Sequence, residues 1–219
     1  MKNFTFLTSL PRTANTVIGS IINSNKNIKA TANSVLPGII YDINNMKNTD
    51  NFKNFPDHKS LDNISKNVFN NYYKDWNCDY ILERGPWGTP KNLENLKQII
   101  PNPKFVFVDR PLDEIIFSIQ TIFENNGLTI TEEQLLDKQG IIGKYQWSIQ
   151  NIIDNKETYL KLNYDDFLND QKNFFEKLSE FIGCKIEIPA DLVQFNINDI
   201  YYDDEAIGLE GLHNVRRNI

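Results

Sequence analysis

The sequence predicts a three-layer α/β domain, in which helices cover both faces of a central, mainly parallel sheet of four to five strands. Short apolar and β-branched runs alternate along the chain with segments of helical period, which is the pattern of such a domain. The chain has 219 residues, enough for one domain with a sizeable core. Its apolar fraction of 40% and charged fraction of 24% are ordinary for a globular protein. We therefore expect residues 1–219 to form a single domain.

Four runs have strand character. The third, Phe-Val-Phe-Val, is apolar throughout, which is typical of a central parallel strand covered on both faces. The four predicted strands are residues 4–9, 80–82, 105–108 and 159–162.

Apolar residues recur at helical spacing in the segments between these runs. Asn126-Gly127 and Gly183 are helix stops by composition. The predicted helices are residues 17–22, 61–76, 93–100, 112–126, 132–153 (as one helix or two) and 167–182. Residues 25–60 contain Pro37-Gly38 and Phe55-Pro56, so we expect an irregular insertion there, near a substrate site or simply at the surface.

Bulk properties exclude several functions. The formal net charge is −6, which disfavours nucleic acid and acidic lipid as partners. Two histidines and two isolated cysteines, Cys78 and Cys184, offer no metal-ligand spacing. No apolar run approaches the length of a membrane span, and the first strand starts too early to leave room for a signal peptide. We therefore expect a cytoplasmic protein without a metal and without membrane insertion.

The loop between the first strand and the first helix has the composition of an anion site. Arg12 supplies a positive charge, Thr13 and Thr16 supply hydroxyl groups, and the following helix presents unpaired N–H groups. An equally good interpretation is an ordinary capped helix beside a buried sheet. The loop lacks the glycines and the lysine of a Walker A motif.

Arg110 and Ser118 form a second candidate pair, eight residues apart, with Arg110 at a strand end and Ser118 two turns into the next helix. Guanidinium groups make forked, charge-assisted hydrogen bonds to phosphate. The alternative is that Arg110 pairs with Asp109 or Asp113 and that Ser118 is a chance polar residue.

Both segments resemble motifs of the PAPS-dependent sulfotransferases, in the bacterial, viral and tyrosylprotein-type branch. PAPS is 3′-phosphoadenosine 5′-phosphosulfate, and PAP is the product left after sulfuryl transfer. The loop LPRTANT resembles the 5′-phosphosulfate loop L-P-R-S-G-[ST]-T, and VFVDRPLDEIIFS resembles the 3′-phosphate segment V-x-R-[ND]-P-x-D-x-x-x-S. YLKLNYDDFLNDQKNFFEKLSEFIG is similar to a later strand–helix unit of the family. The resemblance implies the P-loop-like sulfotransferase fold.

It also implies roles for individual residues. Arg110 and Ser118 would hold the 3′-phosphate. Ala14 stands where the family has a glycine that can adopt positive φ, and we expect Asn15 to provide that conformation instead. The residues implied for the 5′-phosphosulfate are Pro11, Arg12, Thr13, Ala14, Asn15 and Thr16.

Catalytic residues are harder to assign. The family's carbohydrate-type members carry a strand-end Glu-Lys pair, which Glu83 and Arg84 resemble, so Glu83 is the first candidate for the general base. A Glu83–Arg84 ion pair at the surface is the equal alternative. His58 is the second candidate for the base and His213 the third. The tail, residues 185–219, ends in Arg216-Arg217, which is either a solvated basic end or, as the resemblance implies, a segment that closes over PAP.

The implied activity is metal-free transfer of the sulfuryl group from PAPS, through Arg12 among others, to a hydroxyl or amine. The acceptor is a small molecule, a glycan or a peptide. Two alternatives remain: a PAP-binding or nucleotide-binding module without catalysis, and a P-loop kinase-like phosphoryl transferase.

Overall fold

The computed structural model describes residues 2–189. Five parallel strands form one sheet in the order β2-β3-β1-β4-β5, so the first strand lies at the centre. Glu83 of β3 pairs with Phe6 of β1. The strands are β1 Asn3–Leu7, β2 Ile28–Ala30, β3 Tyr80–Arg84, β4 Lys104–Asp109 and β5 Thr158–Asn163.

Helices connect the strands and cover both faces of the sheet. A 3₁₀ turn, Met46–Asn48, follows the second helix. The helices are α1 Asn15–Asn23, α2 Leu36–Asn45, α3 Asp50–Asn54, α4 His58–Tyr72, α5 Pro90–Ile99, α6 Leu112–Asn125, α7 Glu132–Leu136, α8 Gly143–Asp154, α9 Tyr164–Asn169 and α10 Gln171–Ile182.

Strand side chains alternate between two apolar layers. Leu7, Leu82 and Val106 pack with α1 and α10 on one face. Phe6, Ile81 and Phe105 pack with α2, α4 and α5 on the other face. A third apolar cluster joins α6 to α7. The predicted three-layer α/β fold with a parallel sheet is confirmed, and β4 is paired on both sides, as its apolar sequence predicted.

The prediction of an irregular segment at residues 25–60 is wrong. The segment contains β2 and the helices α2 and α3. Pro37 lies in the first turn of α2, where its missing N–H has no partner to lose, so it starts the helix instead of breaking it. Val35, just before α2, and Phe55, just after α3, are both exposed.

Residues 132–153 form two helices, the second of the two alternatives that the sequence left open. Gly140 and Gly143 separate α7 from α8, and a Cβ at either glycine would lie within 3 Å of a backbone carbonyl. The segment 167–182 is also divided, because Asp170 caps the start of α10. Gly183 ends α10 with φ of 83°, as its composition predicted. None of the helices in residues 2–189 is long and apolar enough to cross a membrane.

Candidate active site

The loop after β1 is anchored to both neighbouring strands. The Thr8 hydroxyl donates to the Gly85 carbonyl at 2.9 Å, and the Ser9 hydroxyl accepts from the Val108 N–H at 2.8 Å. Both side chains are buried. The loop therefore begins from a fixed position at the carboxyl edge of the sheet, where ligands bind in open α/β folds.

The backbone is left-handed at two of the residues 12–14, a conformation that can turn successive N–H groups toward one point. Arg12 has φ of 64° and Ala14 has φ of 59°, both in the left-handed region. Within residues 2–189, no carbonyl or side-chain oxygen accepts a hydrogen bond from the N–H groups of residues 13–17. A concavity of unpaired N–H groups at the start of a helix is the kind of backbone arrangement that suits an anion.

Ala14, and not Asn15, takes the left-handed conformation, so the expectation for Asn15 is wrong. Asn15 is the first helical residue of α1. Its amide nitrogen donates to the Leu10 carbonyl at 2.8 Å, and the Thr13 hydroxyl donates to the same oxygen at 2.8 Å. These two hydrogen bonds stabilise the loop conformation. Ala14 bears the steric cost of a side chain in the left-handed region.

The two predicted motifs contact each other beyond the ends of the neighbouring strands β1 and β4. The Arg12 Nε donates to the Ser118 hydroxyl oxygen at 3.0 Å, and the Arg110 Nη1 donates to the Arg12 carbonyl at 2.6 Å. The two motifs are about a hundred residues apart in the chain, with separations of 106 and 98 residues for these bonds. Ser118 therefore makes a defined contact with the loop after β1.

Arg110 has other partners than the predicted Asp109 and Asp113. Its Nε donates to the Glu114 carboxylate at 2.9 Å, and its guanidinium lies over the Tyr164 ring, 4.4 Å from the centroid. Asp109 instead pairs with Lys161 at 2.7 Å. Sequence reasoning missed Glu114 and Tyr164. The helical spacing of four from Arg110 to Glu114 was the only available signal.

Glu83 is fully buried on the face that carries α2, α4 and α5. The Tyr73 hydroxyl donates to its Oε2. Burial raises the pKa of Glu83 to about 7, although the nearby hydroxyl groups of Ser34, Tyr73 and Thr31 oppose the rise. Burial, with the Glu83 charge next, also raises the pKa of Tyr73 well above its usual value. The sequence did not indicate the contact between Tyr73 and Glu83, because the end of α4 and strand β3 come together only in the folded chain.

Arg84 points to the opposite face from Glu83, as consecutive strand residues do. Its Nη1 donates to the Ala32 carbonyl at 2.7 Å, and no ion pair joins it to Glu83 within the described residues. The alternative of a Glu83–Arg84 pair at the surface is therefore wrong.

Three buried polar atoms near the end of β3 have no hydrogen-bond partner among residues 2–189. They are Glu83 Oε1, Arg84 Nε and Trp87 Nε1. Buried polar atoms are rarely left unpaired, so three unpaired atoms within five residues are unusual. The carboxyl end of β3 therefore has polar groups that could contact a bound molecule.

His58, the second candidate for the general base, lies apart from the loop after β1. His58 begins α4, where its exposed ring packs edge-on against Phe52, 4.9 Å between centroids. Within residues 2–189 no contact links it to the loop or to Arg110. His213, Arg216 and Arg217 lie outside the described residues. No cluster of three metal-ligating side chains occurs in the part of the chain that is described.

A known protein family matches most of the chain. The model of the sulfotransferase family matches residues 5–187, so the chain belongs to that family. No curated protein sequence matches the chain.

Solved structures of low sequence identity share the fold. The sulfotransferase domain from the curacin biosynthetic pathway has a TM-score of 0.58 at 14% identity, covering 88% of this chain and 77% of that one. The sulfotransferase from Alicyclobacillus acidocaldarius has a TM-score of 0.56 at 12% identity, covering 88% of each chain. The sulfotransferase domain of the Synechococcus PCC 7002 olefin synthase has a TM-score of 0.53 at 12% identity, covering 97% and 92%.

Proposed function

We propose that this protein transfers the sulfuryl group of PAPS to a hydroxyl or amine of an acceptor and releases PAP. The observation that carries the proposal is the pair of hydrogen bonds that join Arg12 to Ser118 and Arg110 to the Arg12 carbonyl. They bring an N–H concavity and two arginines to one edge of the sheet. A nucleotide with phosphate groups at both its 5′ and 3′ positions is the ligand that such a pair of anion sites fits.

In this proposal the 5′-phosphosulfate occupies the loop. The N–H groups of residues 13–17 and the Thr16 hydroxyl, in the first turn of α1, would contact its oxygens. The 3′-phosphate would contact Arg110 and Ser118. The Ser118 oxygen accepts from Arg12, so its own O–H can still donate to a phosphate oxygen.

The reaction breaks the bond between sulfur and the bridging oxygen of PAPS and forms a bond from sulfur to the acceptor atom. The acceptor proton goes to a base, and the electron pair of the broken bond leaves with PAP. Negative charge therefore grows on the leaving phosphate, where Arg12 and the loop N–H groups stabilise it. Arg84, at the carboxyl end of β3, adds a further positive charge at this edge.

Glu83 is our proposal for the base. A carboxyl with a pKa of about 7 can hold a proton or release it at neutral pH, as a general base must. Its Oε1 has no described partner, while Oε2 is held by Tyr73. Because the side chain is fully buried, an acceptor has to displace the groups that cover Oε1 before Glu83 can act.

That burial also favours a second candidate function, a PAP-binding module without catalysis. A carboxyl that no acceptor reaches would leave only the nucleotide site in use. Such a module binds PAP and transfers sulfuryl to no acceptor.

Residues 25–60 are our proposal for a wall of the acceptor site. Tyr41 and Phe55 are large side chains exposed there, and exposed aromatic groups suit a sugar ring or a tyrosine.

A thermal-shift titration with PAP tests the nucleotide site directly, with ATP as the comparison ligand. A ligand at about 100 times its Kd adds about 2.7 kcal/mol to the stability of the folded state. We expect PAP to raise the melting temperature, ATP to do so less, and Arg110→Ala to abolish the PAP effect. Lys161→Ala is the charge-matched control, because it removes a neighbouring cation outside the site. Absence of any PAP effect on the unmodified protein would refute both candidate functions.

A further inference from the structure

Arg110 is held on three sides before any ligand arrives. Its Nη1 donates to the Arg12 carbonyl at 2.6 Å, its Nε donates to the Glu114 carboxylate at 2.9 Å, and one face of its guanidinium covers the Tyr164 ring. Its side chain is 18% exposed. Arg110 is therefore oriented by the fold, and only some of its N–H groups are left to meet an anion.

These three contacts differ in how easily a ligand can replace them. The Arg12 carbonyl belongs to the loop backbone, and Tyr164 begins α9 directly after β5, so neither can move far. The Glu114 side chain is 49% exposed and can turn into water. The Nε edge of the guanidinium is therefore the edge that an incoming phosphate can take.

That edge matters because a phosphate binds best to two parallel N–H groups of one guanidinium. Nη1 uses one of its N–H groups on the Arg12 carbonyl, so the fork formed by Nε and Nη2 is the one that shares no nitrogen with that bond. In the structure Glu114 occupies half of that fork.

We propose that Glu114 is an internal competitor for Arg110, and that it sets how strongly the protein prefers a nucleotide with a 3′-phosphate over one without. The inference rests on the proposed function, since it assumes that PAP binds at Arg110. A 3′-phosphate that takes the Nε and Nη2 fork displaces the Glu114 carboxylate, so part of its interaction with Arg110 is offset by the loss of the existing ion pair. A nucleotide without that phosphate leaves the ion pair intact and loses nothing.

Asp113 supplies a matched control. It precedes Glu114 in the first turn of α6, is exposed, and makes no ion pair within the described residues. Asp113→Asn and Glu114→Gln therefore remove the same charge from the same helical turn. Only Glu114→Gln removes a contact to Arg110.

Isothermal titration of PAP and of adenosine 5′-phosphate into the full chain and both variants tests the proposal. Because half-exposed ion pairs are weak, we expect Glu114→Gln to raise the PAP affinity about twofold to fivefold. The affinity for adenosine 5′-phosphate should change no more than it does in Asp113→Asn. The preference for the 3′-phosphate thus rises in Glu114→Gln alone.

Each other outcome overturns the inference in a recognisable way. Equal gains in both variants would mean that Glu114 acts only through its charge. A loss of PAP affinity in Glu114→Gln would mean that Glu114 holds Arg110 in place for the phosphate. If the unmodified protein binds adenosine 5′-phosphate but not PAP, or binds neither, the proposed function itself fails.

Discussion

The Nε of Arg12 lies 3.0 Å from the hydroxyl oxygen of Ser118, although the two residues are 106 positions apart in the chain. Arg12 has φ of 64°, in the left-handed region, and its side chain contacts Ser118 of α6. The bond makes the side chain of Arg12 a bridge between the loop and the segment implied for the 3′-phosphate. A change at one of these sites should therefore be felt at the other.

Ser118→Ala should weaken PAP binding roughly tenfold to a hundredfold, because a hydroxyl that contacts a charged phosphate contributes about 1.5–3 kcal/mol. The loss of adenosine 5′-phosphate affinity should be smaller, since that nucleotide has no 3′-phosphate. Titration calorimetry measures both. Thr121→Ala is the control, because its hydroxyl lies on the same helix and, among the described residues, donates to the Phe117 carbonyl. Unchanged PAP affinity in Ser118→Ala would contradict the placement of the 3′-phosphate.

Ala14→Gly should stabilise the protein by about 1 kcal/mol, because alanine at φ of 59° bears a steric cost that glycine does not. The melting temperature should rise by about 2–4 °C for a chain of this size. Ala32→Gly is the control of opposite sign. Ala32 is not among the residues of positive φ, so glycine there only adds freedom to the unfolded chain. A lower melting temperature for Ala14→Gly would show that the loop conformation costs alanine nothing.

The layers of the fold could be predicted from the sequence, because each long strand is an apolar run bounded by polar turns. β2 could not be recognised, since it has only three residues, Ile28–Ala30, with a lysine in the middle. Its identity as a strand comes from its pairing with β3 and from the burial of Ile28. Short edge strands depend on tertiary contacts more than on their own composition.

Only those residues of the site that lie close together in the sequence could be predicted as a group. Arg110 and Ser118 lie in one strand–helix unit, so the sequence could propose them together as a candidate site. Tyr164 contacts Arg110 because β5 pairs with β4, and Tyr73 contacts Glu83 because α4 packs on the sheet. No periodicity in a single sequence reports such contacts between elements. The side-chain partners of predicted site residues were therefore the part that only the structure supplied.

Tyr73→Phe should destabilise the protein by about 1–3 kcal/mol, because it leaves Oε2 of the buried Glu83 without its donor. The loss should be larger at pH 8 than at pH 5. The Tyr73 bond favours the ionised carboxylate, so removing it raises the pKa of Glu83 further. Urea unfolding at the two pH values measures the effect. Tyr72→Phe, at the exposed neighbouring ring, should change stability little. Equal losses at both pH values would mean that only packing was disturbed.

Glu83→Gln should remove much of the pH dependence of stability between pH 4.5 and 7. Burial raises the pKa of Glu83 from 4.5 to about 7, so in this window the folded protein binds more protons than the unfolded chain. The free energy of unfolding therefore falls as the pH rises through the window, by about 3 kcal/mol at about 1.4 kcal/mol for each pKa unit. Glutamine cannot ionise, and its side-chain oxygen can still accept from Tyr73.

Urea unfolding of the unmodified protein and of Glu83→Gln, at intervals from pH 4 to pH 8, measures this difference. Glu94→Gln is the control, because Glu94 is an exposed carboxylate whose ion pair within residues 2–189 is with Lys91. We expect the unmodified protein and Glu94→Gln to lose stability alike toward pH 8, while Glu83→Gln stays nearly constant over the same range. Parallel curves for all three proteins would place the titrating group elsewhere, and Glu83 would then lack the near-neutral pKa that its proposed role as the base requires.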